Sequence, residues 1–429
     1  MPTRPTAEES LVRGIGTLAL AAAIVNITIG GGIFRLPGNV AGSLGAAAPL
    51  AYLVCAAAMG LIVYCIADAG SRVSLTGGPY AYVGAAFGPY AGFISGVLLW
   101  MLGTFAAAAV ATLFAANVGR LVPSLGGSVR EGVLVAVALT FWSIVNMQGV
   151  KVGARLNSVA TVAKLMPLLL IAIGGLFFIR AENLEWTTTP AAADVARTSL
   201  LLIFAFAGIE VAVVPGGEVR DPARTVPRAI ALAMIGITAL YIVLQLVAQG
   251  ILGSALATAT VTPLADAAGA SLGGWARALL LAGAAISMFG YLGGMTLSMP
   301  RVVYAFARDG FLPKALAQVD VVHHAPRLAI TVQSILTVIL AITGSFERLA
   351  ILANIAALAL YFGCALASWR LRTTMSQSKG SASANVIPWL ACAVIIWLLT
   401  GVTLNEWLAF WACVALASLL YALTRGQRN

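Results

Sequence analysis

Apolar residues in this chain run in long unbroken stretches, each hydrophobic all round, as buried or membrane-spanning helices are. About twelve such stretches of roughly 20 residues or more follow one another, the length a bilayer core demands. They fall near 14–37, 46–70, 80–119, 131–148, 156–179, 196–216, 227–252, 274–300, 328–344, 348–369, 386–403 and 405–424. The third is long enough to cross at a strong tilt. Two stretches carry interruptions that a continuous helix gains nothing from. The first reads Val25-Asn26-Ile27-Thr28-Ile29-Gly30-Gly31-Gly32-Ile33-Phe34-Arg35-Leu36-Pro37-Gly38. Each glycine there costs a helix about 1 kcal/mol relative to alanine. The second places Gly208 near mid-span and closes on Pro215-Gly216-Gly217.

A glycine run inside a span has two readings. Small residues allow close helix packing. They also let a helix open and present bare N–H and C=O groups to a ligand. The second interruption comes five helices after the first, and interrupted helices in corresponding positions of two halves point to an inverted-repeat transporter. With five helices per half, the halves insert in opposite orientations, and the last two spans stand outside the repeat. The fold expected is therefore all-α and integral to the membrane: twelve transmembrane helices, with helices one and six broken. Residues 1–13 and 425–429 are expected as tails around one membrane domain, 14–424.

Composition agrees with the pattern. Apolar residues make up 61% of the 429 and charged residues 9%, with mean hydropathy +0.97; soluble domains carry about 25% charged residues. The polar start, Met1 to Arg13, leads into a segment too long for a signal peptide's apolar region, so no cleavable leader is expected. A net charge of +10 would suit nucleic acid if it were clustered, but the basic residues sit singly in short loops. With the N-terminus inside, seventeen Lys and Arg fall on the inner side and seven on the outer, Lys164 lying within a span. That bias predicts cytoplasmic termini in a plasma (inner) membrane protein. The five cysteines all lie in apolar spans and none forms a CxxC pair; His323 and His324 are the only histidines. No metal, cofactor or nucleic-acid partner is expected, and neither a catalytic triad nor a channel filter motif is visible.

The segment Ile29-Gly30-Gly31-Gly32-Ile33-Phe34 with Pro37-Gly38 resembles the first-helix signature of the amino acid–polyamine–organocation transporters. Phe204-Ala205-Phe206-Ala207-Gly208-Ile209-Glu210, followed by Gly217-Glu218-Val219-Arg220-Asp221-Pro222, resembles their sixth helix and its exit loop. Ser287-Met288-Phe289-Gly290-Tyr291, leading to Arg301-Val302-Val303-Tyr304-Ala305-Phe306-Ala307-Arg308-Asp309-Gly310, resembles their eighth. The resemblance implies a leucine-transporter-like fold built on a 5+5 inverted repeat, with substrate bound between the broken first and sixth helices. An amino acid suits such a gap. Its carboxylate can accept from amides at a half-helix start, and its ammonium can meet carbonyls at a half-helix end. On that reading Ile27, Thr28, Gly30, Gly31 and Gly32 take the carboxylate, Phe204, Ala205 and Ala207 the ammonium. Phe206 caps the site beside Gly208, and Trp100, Met101, Thr104, Tyr291 and Tyr361 are candidates for the side-chain pocket, against simple core packing.

Two charges fall within spans. Lys164 lies about halfway down the fifth helix, where a lysine costs about 2.5–3.5 kcal/mol unless paired or neutral. The resemblance implies that it stands where sodium-coupled relatives bind an ion, which favours proton coupling; the bland alternative is a snorkelling lysine. Glu210 could titrate, attract a cationic side chain, or pair structurally. Arg35 departs from the family's apolar residue and reads first as snorkelling to the outer interface; facing the vestibule, it would weigh against basic substrates. Glu218 and Arg220, with Arg301, Arg308 and Asp309 as candidate partners, could lock an inner gate or merely set topology. The expected function is proton-coupled, sodium-independent uptake of amino acids by alternating access. The alternative is an amino acid/polyamine exchanger using Glu210, and a membrane enzyme or a channel is a distant third. A small amino acid or amine and the bilayer are the expected partners, with the chain as monomer or homodimer.

Overall fold

The computed structural model describes residues 16–73, 79–148, 165–186, 189–208, 222–320, 325–375 and 382–424. These are helical and turn residues throughout, with no strand among them. In chain order the helices are α1 (Thr17–Thr28), α2 (Gly32–Leu44), α3 (Ala48–Arg72), α4 (Pro79–Phe87), α5 (Pro89–Leu121) and α6 (Ser128–Met147). Then come α7 (Leu165–Phe178), α8 (Ala192–Phe206), α9 (Pro222–Leu252), α10 (Pro263–Leu272), α11 (Gly274–Arg308), α12 (Arg327–Thr343), α13 (Phe346–Met375), α14 (Ala382–Leu399) and α15 (Leu404–Thr424). Seven described helices are long and apolar enough to cross a membrane unaided, and α7, α12 and the Val386–Leu399 part of α14 are shorter apolar helices. The chain is a helical membrane protein.

Two boundaries differ from the hydropathy reading. The stretch 80–119 is not one tilted span: it breaks at Gly88, whose φ of +94° only glycine adopts without strain. Pro89 then opens α5 at a position where a missing N–H costs nothing. The eighth stretch runs on to Arg308, with Pro300 tolerated inside it, so Arg301 is a helical residue and not a loop residue.

The helices pack in two groups. α1 lies on α9, α2 on α8, and α3 on both α8 and α9; separately, α5 and α6 each lie on α11 and α12. α13 packs against α5 of one group and α3 and α8 of the other. Several polar side chains buried in the second group find one another. Trp100 Nε1 donates to Gln333 Oε1 at 2.8 Å, and Gln333 Nε2 donates to Thr104 Oγ1 at 2.9 Å. Ser143 and Ser334 hydroxyls meet at 2.7 Å, and Asn146 donates to Thr296 at 2.9 Å. Hydrogen bonds across helix pairs in an apolar surround fix their mutual register.

Candidate functional site

The first glycine run does open the helix. α1 makes its last turn with Ile29 N–H donating to Val25 O, and α2 begins at Gly32 with Phe34 N–H bonded to Gly31 O. The amides of Gly30 to Ile33 therefore precede any intrahelical acceptor. They carry the positive end of the α2 dipole, an arrangement suited to a carboxylate. Thr28, grouped above with these donors, stands at the opposite, carbonyl end of α1. Its hydroxyl is buried without a partner among the described residues. Of Ile27 only the backbone, in α1, is described.

The second interruption is also present. α8 ends at Phe206, Ala207 is extended (ψ 147°), and Gly208 takes φ +110°. The two broken helices touch at glycine: a Cβ on Gly32 would stand 3.2 Å from Phe204 Cδ1 and 3.3 Å from Ala205 Cα. On the other side, a Cβ on Gly31 would stand 3.2 Å from Met288 Cγ in α11. Residues 30–32 thus lie where the two helix groups meet.

Tyr241 of α9 joins the breaks. Its hydroxyl donates to Ala205 O at 3.0 Å and lies 3.4 Å from Thr28 O, so one phenol spans the freed carbonyl ends of α1 and α8. Phe206 packs edge-on against its ring at 5.3 Å, and both residues are fully buried. Behind it Tyr52 packs edge-on at 6.4 Å, and its own hydroxyl bonds Gln245, whose amide reaches Pro37 O in α2. Asn354 of α13 donates to Leu200 O at 2.8 Å, nearly two turns before the end of α8. None of Tyr241, Gln245 or Asn354 was expected from sequence.

Above the gap stands a charged cap. Arg35, one turn along α2 from Gly31 and Gly32, bonds Glu347 at the start of α13 at 2.5 Å. Its guanidinium lies 5.1 Å over the Phe346 ring, which meets Phe204 edge-on at 5.4 Å. Arg35 is therefore not a snorkelling residue: its side chain is 14% exposed. Charge that can be paired and stacked inside is held there. Arg35, Phe346 and Glu347, with Thr112, Arg120 and Glu131 opposite, line a cavity of about 410 Å³.

The other predicted residues divide. Lys164, Glu210, Glu218 and Arg220 lie outside the described residues. Arg301 bonds back to Leu297 O in its own helix, and Arg308 pairs with its exposed neighbour Asp309 at 2.9 Å. Trp100 and Thr104 face Gln333 of α12, which places them in the packing of the second group. At the opposite end of α13 from Glu347, Asp68 of α3 accepts from Arg372 (2.7 Å), Ser368 (2.6 Å) and Arg72 (3.1 Å).

Two interrupted helices whose broken ends meet inside a helical membrane protein are the mark of a membrane transporter. The family model described as amino acid permease matches residues 15–423. The chain belongs to the amino acid permease family, within the amino acid–polyamine–organocation superfamily, and is an amino acid transporter. It is 27% identical over 395 residues to the serine/threonine exchanger SteT of Bacillus subtilis (strain 168), covering 89% of this chain and 88% of that one. It is 29% identical over 315 residues to the cadaverine/lysine antiporter of Escherichia coli (strain K12), covering 72% and 70%. To the arginine/agmatine antiporter of Chlamydia caviae it is 29% identical over 354 residues, covering 76% and 70%.

Proposed function

We propose that this chain is an amino acid exchanger that works by alternating access, binding substrate in the gap between the α1–α2 break and the α8 break. The observation that carries the reading is the meeting of the two breaks at Tyr241, with amides that precede any intrahelical acceptor on one side and helix-end carbonyls on the other. In this arrangement Gly30, Gly31 and Gly32 hold the carboxylate. The carbonyl ends at Thr28, Phe204, Ala205 and Ala207 receive the ammonium, and Phe206 with Gly208 shapes the wall.

The packing supports a twelve-span, 5+5 inverted repeat. Counting α1–α2, α3, α5, α6 and α7 as one half and α8, α9, α11, α12 and α13 as the other, the contacts come in exchanged pairs. The first helix lies on the second of the other half (α1 on α9, α3 on α8), and the third on the fourth (α5 on α12, α6 on α11). A two-fold relation between halves generates such pairs. The charge bias then puts the Arg35–Glu347 end outside and the Asp68–Arg372 end inside.

Exchange has better support than proton-coupled uptake, since three relatives are named for exchange or antiport. Uptake driven by protons rests on Lys164 and Glu210, both outside the described residues. Purified protein in liposomes loaded with unlabelled amino acid should take up labelled amino acid, and empty liposomes should not. Uptake into empty liposomes driven by an inward proton gradient would overturn exchange and restore proton coupling through Lys164 and Glu210.

A further inference from the structure

We infer that the Arg35–Glu347 pair is a gate that opens by handing its two charges to a substrate carrying both a carboxylate and an ammonium, so that the protein takes amino acids and rejects the corresponding amines. The inference rests on the exchanger reading above and narrows its substrate class.

The pair stands between the cavity and the gap. Both residues line the 410 Å³ cavity, and Arg35 rests on Phe346, which touches Phe204 of the α8 break. The route along α2 from the cavity to the Gly30–Gly32 amides passes Arg35, Glu347 and Phe346. Parting the pair costs little where each charge finds a replacement and much where one is left half-buried and alone. An amino acid supplies both replacements, carboxylate to Arg35 and ammonium to Glu347. A diamine supplies only cations, which satisfy Glu347 and leave the guanidinium facing like charge.

Two atoms unpartnered among the described residues mark the places of the carboxylate and the ammonium. Arg35 Nε is buried with no hydrogen-bond partner among the described residues, although Nη2 is engaged by Glu347. The guanidinium edge thus holds one free donor while its other end is paired, and a carboxylate can take Nε before Glu347 lets go. Asn39, one turn farther along α2, holds Glu347 through its amide while its own Oδ1 is buried and unpartnered, an acceptor for an arriving ammonium. Across the cavity Arg120 and Glu131 repeat the mixed signs, so the approach as a whole favours neither net charge.

The test compares each amino acid with its own decarboxylation product: lysine with cadaverine, arginine with agmatine, serine with ethanolamine. Counterflow into liposomes loaded with unlabelled serine or lysine reads the rates. The wild type should exchange each amino acid about tenfold or more faster than its amine. Arg35→Gln should bring each pair to within about twofold, and Arg35→Lys, which keeps the charge, should retain the preference. Glu347→Gln removes the internal competitor for Arg35 and should raise the preference, which a merely damaged fold would not do. Cadaverine or agmatine exchanged as fast as its amino acid by the wild type would overturn the inference and leave the exchanger standing. So would an unchanged ratio in Arg35→Gln. Exchange of no compound at all would overturn both.

Discussion

Single atoms decide much of the gap's chemistry. The Tyr241 hydroxyl spans two carbonyls that the helix breaks have freed, and a buried acceptor left without its donor costs about 1–3 kcal/mol. Tyr241→Phe keeps the ring packing on Phe206 and Tyr52 and removes that one donor. We expect a loss of thermal stability of that order in detergent, together with a marked fall in exchange; an unchanged melting temperature would mean that the bridge contributes nothing. Gly208 is a second such point. Its φ of +110° is strained for any residue with a Cβ, by about 1–3 kcal/mol. Gly208→Ala should therefore unseat the end of α8 and lower substrate affinity, measured by equilibrium binding. The same change at Gly60, where an added Cβ meets nothing within 4 Å, should leave affinity intact.

At the scale of elements, glycine spacing against neighbouring backbone sets how closely helices approach. A Cβ on Gly38 would stand 2.4 Å from Ala259 O, backbone that cannot move aside cheaply. One turn on, a Cβ on Gly42 would stand at an ordinary 3.6 Å from Ala257 O. Gly38→Ala should destabilise the protein by about 1–3 kcal/mol and Gly42→Ala hardly at all, as thermal unfolding of the two variants would report. In the same way Gly32→Ala, against the Ala205 backbone, should do more harm than Gly31→Ala, against the flexible Met288.

Such breaks were legible because only glycine-rich sequence tolerates them, and both appear where Gly30–Gly32 and Gly208 predicted. Gly88-Pro89 carried a turn signal of the same kind, but a hydropathy average runs straight over it, and so one long span was expected where two helices exist. The rest of the site lacked any local mark. Tyr241 is one aromatic in a long apolar helix, and its partners are backbone atoms 36 and 213 residues away. Arg35 stood out as a charge in the wrong place, yet nothing near it named Glu347, 312 residues on. Trp100 and Thr104 could be put in a span but not on a face, since a helix apolar all round has no periodicity to orient it. The structure turns them toward Gln333.

Across the whole molecule, α13 is fastened to the first group at both ends: Glu347 to Arg35 of α2, and Arg372 to Asp68 of α3. Both ties are closed here. A carrier that exposes its gap alternately has to release one tie while the other holds, so weakening either should shift the resting population toward that side. The outer tie is partly exposed and the inner one nearly buried; a change of about 1 kcal/mol in either corresponds to about a fivefold shift in population. Glu347→Gln should then speed maleimide labelling of a cysteine placed at Ala116, in the cavity wall, and slow labelling of one placed at Ser95, buried in the first turns of α5. Arg372→Met should do the reverse. The four native cysteines that are buried can stay as internal controls once Cys413 is replaced by serine. If both substitutions move the two reporters in the same direction, the ties merely stiffen α13 and do not oppose one another, and alternating access in this protein must turn on some other pair of contacts.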